Sequence, residues 1–122
     1  MNTNIVGPMS KNADIQKLRR QINEGLFPSN FPHFGGANLI ITNDENRNFH
    51  ENDFVVYSQH ASALSWLVIE LKKVYDSKLD YLNKYDFYPY IGKLIASSTN
   101  ANDDLFETML FVIEKIEEDW NY

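Results

Sequence analysis

A chain of 122 residues has the length of one domain, and its 43% apolar and 14% aromatic content supplies one core, which excludes a disordered chain and leaves no room for a second domain. The absence of cysteine excludes disulfide scaffolds, thiol nucleophiles and thiolate metal sites. With 17 acidic against 11 basic residues, a net charge of −6 and a sequence pI near 4.9, direct electrostatic binding of nucleic acid is disfavoured and a basic partner is favoured.

Residues 1–12 mix Asn, Gly, Pro and Ser without periodicity, so a flexible N-terminal segment is expected there, followed by one domain over 13–122. The opening lacks the basic start, apolar stretch and small-residue cleavage site of a secretory signal, and the expected compartment is the cytoplasm. The most apolar run, SALSWLVIEL, is broken by Glu70 and followed by Lys72 and Lys73, too short for a membrane span.

From Ala13 the spacing of Ile15, Leu18 and Ile22 predicts a helix that stops at Gly25, with Lys17, Arg19 and Arg20 giving it a positive outer surface. The stretch LFPSNFPHFGG, Leu26 to Gly36, cannot continue it. Pro28 and Pro32 remove two backbone donors, and Phe27, Phe31 and Phe34 read as plugs that pin a crossing to the core. Its two glycines suggest a turn with positive φ at Gly35 or Gly36.

ANLIIT, residues 37–42, is the strand candidate. DFVVYS would pair with it as a hairpin across NDENRNFHEN. The same residues also fit a helix, because Phe54, Tyr57, Ala61, Leu64, Val68, Leu71 and Tyr75 step by three and four, and this period predicts one long helix capped by Asn52. SKLD from Ser77 resembles a capping box that restarts a helix, with Leu79 and Leu82 inward, to about Tyr85. Pro89 opens a short helix, PYIGKLIASS, that ends in a turn at STNAN. Asn102 then caps a last helix whose apolar stripe is Leu105, Phe106, Met109, Leu110, Ile113, Ile116 and Trp120. The expected fold is mainly α: a single-domain bundle of four to five helices with a short β element near residues 37–42.

Catalytic signatures are missing. PHFGG is interrupted by Phe34 as an oxyanion motif, and neither a G-x-S-x-G turn nor a phosphate loop occurs. His33, His50 and His60 lack metal-ligand spacing, and Asp103 and Asp104 read as helix-start residues that complement the dipole. No enzyme, cofactor or metal is expected. Two surfaces stand out instead. One is the acidic band of the last helix, comprising Asp103, Glu107, Glu114 and Glu118 with Glu117 and Asp119, whose final members oppose the helix dipole. The other is YDSKLDYLNKYDFYPY, where tyrosines suited to anchoring an interface alternate with acids.

Tyr81, Asp80, Tyr85, Asp86 and the run Glu114 to Asp119 give the chain a class-level similarity to small acidic bacterial immunity proteins, including those of contact-dependent growth inhibition. What the resemblance implies is a protein that neutralises a cognate basic toxin, such as a nuclease, by covering its active site, without binding nucleic acid or membrane itself, as a monomer or homodimer. The expected partner-binding residues are Asp76, Asp80, Tyr81, Tyr85, Asp86, Tyr88, Glu107, Glu114, Glu117, Glu118 and Asp119. The alternative is an adaptor subunit that packs into a larger helical assembly through the Trp66 and Ile69 side of the long helix.

Overall fold

The computed structural model describes residues 13–77 and 86–120. The elements in chain order are α1 (Ala13–Asn23), β1 (Gly35–Gly36), β2 (Leu39–Thr42), β3 (Phe54–Tyr57), α2 (Ala61–Ser77), α3 (Phe87–Ala101) and α4 (Leu105–Asp119). The fold is mainly α, with a small three-stranded sheet ordered β1-β2-β3. The N-terminal segment and the helix restart at SKLD both fall outside the described residues, apart from Ser77 itself. Among the described residues no helix is long and apolar enough to cross a membrane.

α1 buries Ile15, Leu18 and Ile22 and ends where its sequence requires. Gly25 takes φ 70°, the Leu26 N–H donates to the Gln21 carbonyl at 2.8 Å, and the Gly25 N–H donates to the Ile22 carbonyl at 3.1 Å. These are the two bonds of a Schellman stop, which satisfies carbonyls that the helix end would otherwise leave bare. The proline-stiffened crossing then behaves as its phenylalanines suggest. Phe27 stacks on Trp66 at 5.9 Å between ring centroids, Phe34 stacks on Tyr88 at 5.2 Å, and Phe31 packs against the same core. The Phe34 N–H donates to the buried Ser65 hydroxyl at 2.8 Å, tying the crossing to α2.

β1 and β2 form an antiparallel hairpin pairing Gly35 with Ile40 and Gly36 with Leu39. The left-handed turn falls on Ala37 and Asn38, at φ 52° and 66°, while Gly36 lies at φ 157°. Two successive positive-φ residues are the type I′ geometry that matches strand twist. Alanine pays for that geometry with Cβ crowding. Ala37→Gly is therefore expected to stabilise the fold by about 1 kcal/mol, read as a higher urea midpoint. A lower midpoint would contradict the left-handed assignment.

The expected long helix from Asn52 is not formed. Phe54 to Tyr57 is a strand, and it pairs parallel to β2 rather than as a hairpin, with Leu39 opposite Phe54 and Thr42 opposite Tyr57. The Phe54 N–H donates to the Asn38 carbonyl at 2.7 Å and the Ser58 N–H to the Thr42 carbonyl at 3.1 Å, so the ladder satisfies backbone that a helix would have satisfied locally. Asn52 caps nothing, and the Asp53 carboxylate accepts the His50 N–H at 2.8 Å, closing a turn in the 43–53 crossover. β2 is buried at all four residues, which fits the run Leu39, Ile40 and Ile41, and the hydroxyl of the buried Thr42 accepts the Asp44 N–H at 3.0 Å.

α2 occupies the centre. Leu64, Leu67, Val68 and Leu71 are fully buried, and Trp66, Val74 and Tyr75 nearly so, because α1, β2, α3 and α4 all pack around it. α3 starts at Phe87, two residues before Pro89, and runs on through Ala101 where a turn was expected. Asn102 ends α3 by donating its N–H to the Ser98 carbonyl, and Asp104, not Asn102, caps α4 by accepting the Glu107 N–H at 2.9 Å.

Candidate functional site

The expected partner-binding residues divide into three groups. Asp80, Tyr81 and Tyr85 lie outside the described residues. A second group is engaged within the chain. The Tyr88 ring is half-buried, stacked on Phe34 and set edge-on to Phe87 at 5.2 Å. Tyr75 is buried against Phe87 and Trp120, and the Tyr90 hydroxyl donates to Asp119 at 2.9 Å. Tyr75 thus packs α2 on α3, Tyr88 packs α3 on the Phe34 crossing and Tyr90 packs α3 on the end of α4, and they are not exposed anchors. Asp76 is held by the Lys72 ammonium at 2.5 Å, an i,i+4 pair that raises the Lys72 pKa chiefly through that hydrogen bond. Because the folded state raises the pKa, the stabilisation is present below about pH 10.5 and fades as pH rises through the folded value.

Glu117 belongs to the same group, and it corrects the reading of the C-terminal acids. Its carboxylate pairs with Arg19 and accepts from the Gln16 side-chain amide at 3.1 Å, joining α4 to the basic face of α1. Glu118 lies 3.7 Å from Lys115. The last-turn acids oppose the α4 dipole, but Glu117 and Asp119 are offset by groups from α1 and α3. Asp103 is similarly occupied. It precedes α4, and its carboxylate accepts from the Ser58 hydroxyl at 2.7 Å and the Gln59 N–H at 3.1 Å, clasping the α3–α4 turn to the end of β3.

The third group is exposed. Asp86 stands at the start of α3 without a side-chain capping bond, and Glu107 and Glu114 form no ion pair among the described residues. Glu107, Glu114 and Glu118 are seven and four residues apart, so they lie in one row on the outer side of α4, opposite the buried Met109, Val112, Ile113 and Ile116. The row spans about 16 Å at 1.5 Å per residue.

Sequence reasoning missed what lies beside this row. Phe106 and Leu110 were expected in the core, yet Phe106 is 48% exposed and Leu110 and Phe111 are only partly buried. The Lys115 ammonium sits over the Phe111 ring, 5.9 Å from its centre. The signal was present in the helix itself: a stripe running from Leu105 through Phe106, Met109, Leu110 and Ile113 is wider than one face of neighbouring elements covers. The outer side of α4 is therefore an apolar patch threaded by carboxylates.

The Trp66 side of α2, the motive for an adaptor role, is occupied by Phe27 of the same chain, and Trp66 is 7% exposed. No cluster of three His, Asp or Glu side chains able to hold a metal occurs among the described residues. The chain matches no protein-family model, no curated protein and no solved structure.

Proposed function

We propose that the protein is an immunity-type inhibitor that acts in the cytoplasm by docking the outer face of α4 over the basic active-site cleft of a cognate toxin. The observation that supports this reading is the outer side of α4, where the exposed Phe106 and the partly buried Leu110 and Phe111 share the helix surface with Glu107 and Glu114, carboxylates that form no ion pair among the described residues. Such a face combines two separable effects. The carboxylates steer a cationic surface into place and accelerate encounter, and the apolar side chains, once desolvated, slow release. A nuclease cleft suits the face because cationic groups that bind phosphates would meet carboxylates instead and be lost to substrate.

The test is co-expression with the toxin encoded beside this gene. Cells carrying both are expected to grow, and cells carrying toxin alone to arrest. Arrest in both cases, with this protein folded and abundant, would overturn the reading.

A further inference from the structure

The second feature of the surface lies away from α4, where the hairpin tip meets the 43–53 crossover and leaves a cleft of about 360 Å³. Its volume falls at the lower end of the range of small-molecule sites. Arg47 is the group that sets its chemistry. The residue is half-buried, and its guanidinium lies so close over Gly35 that a Cβ there would be 2.6 Å from Nη2. It makes no ion pair and no side-chain hydrogen bond among the described residues, although the chain has 17 acids and four of them, Asp44, Glu45, Glu51 and Asp53, share its crossover.

Two of those acids are already committed. An Asp44 carboxylate oxygen accepts the Asn46 N–H at 2.9 Å, and Asp53 accepts the His50 N–H at 2.8 Å. The Arg47 N–H donates to the Asp44 carbonyl at 3.1 Å and the Asp53 N–H to the His50 carbonyl at 2.9 Å, so turns fix the crossover on both sides of the cleft. A guanidinium packed over backbone has given up hydration on that side, and a planar anion can restore hydrogen bonds to it through two parallel N–H groups. The cleft wall supplies the rest: Ile40 is buried in it, and Phe49, 55% exposed, stands at its mouth. Asp53 also lines the cleft and would repel a second negative charge.

We infer that this cleft binds a small organic monoanion with a flat apolar body, of the aryl carboxylate class, through Arg47 and Phe49. The inference does not depend on the toxin partner. The experiment titrates ¹⁵N-labelled protein with benzoate, with neutral benzamide and with inorganic phosphate. Benzoate is expected to shift the amides of 35–38 and 47–50 saturably, with a dissociation constant on the order of millimolar for so few atoms. Benzamide and phosphate are each expected to bind about tenfold more weakly or worse, and Arg47→Gln to weaken benzoate by a similar factor. Absence of saturable shifts with benzoate overturns the site. Benzamide binding as well as benzoate removes the role of Arg47 without any variant, and phosphate binding as well as benzoate overturns the assignment of an aryl monoanion.

Discussion

Gly92→Val is expected to destabilise the protein by about 3 kcal/mol, at the upper end of overpacking penalties. Gly92 is buried on the face of α3 that meets the sheet, and a Cβ there would lie 2.7 Å from Leu39 Cδ1 and 3.1 Å from Phe54 Cδ2. A flexible side chain at a surface would move aside. Leu39 is fully buried and Phe54 belongs to β3, whose register with β2 fixes the ring's origin, so accommodation must displace the helix from the sheet. Helix propensity alone accounts for well under 1 kcal/mol and acts in valine's favour relative to glycine, so a large loss isolates the steric contribution. The check is urea unfolding with an unchanged slope, together with the double variant Leu39→Ala Gly92→Val. The loss in the double variant is expected to be smaller than the sum of the two single losses. A single-variant loss below about 0.5 kcal/mol would show that α3 does not approach the sheet this closely.

Trp120→Ala is the second large effect, expected at about 3–5 kcal/mol. Trp120 is fully buried, with its ring 5.9 Å from Tyr75 and 6.5 Å from Tyr90, so it closes the core between α2, α3 and α4 from a position just past the α4 end. Truncation after Asp119 should cost as much as the substitution. Phe106→Ala, by contrast, removes a ring that is 48% exposed and should cost under about 1 kcal/mol. The ratio between these two aromatic deletions on one helix, read from the urea midpoints, separates its core face from its outer face. Similar losses would contradict the burial described above.

What was legible in the sequence was local. The α1 stripe ends at Gly25 because a Schellman stop needs only neighbouring residues, and the phenylalanines of the crossing declared their burial by being too large to expose together. β3 was misread because Phe54, Tyr57 and Ala61 happen to continue the α2 stripe, while the strand's true partner, β2, is reached only across a crossover and in parallel. Tertiary pairing overrode a local period there. The site was misjudged for a related reason. Glu117 is compensated by Arg19, 98 residues away in sequence, and the tyrosines 75, 88 and 90 are drawn into contacts with α3, the Phe34 crossing and the end of α4. The exposure of Glu107 and Glu114 was legible in their spacing, but Phe106 and Leu110 were assigned to the core because the whole width of the apolar stripe was read as buried.

The outer face of α4 as the partner-binding surface is tested most directly by association kinetics with the purified cognate toxin, comparing the wild type with Phe106→Ala and with Glu107→Lys Glu114→Lys. Charge reversal is predicted to slow association at least tenfold at low salt and much less near 1 M salt, where the Debye length is about 3 Å, and Phe106→Ala to speed dissociation while leaving association nearly unchanged. Wild-type rates for both variants, with folding intact by urea unfolding, would contradict the assignment of this face.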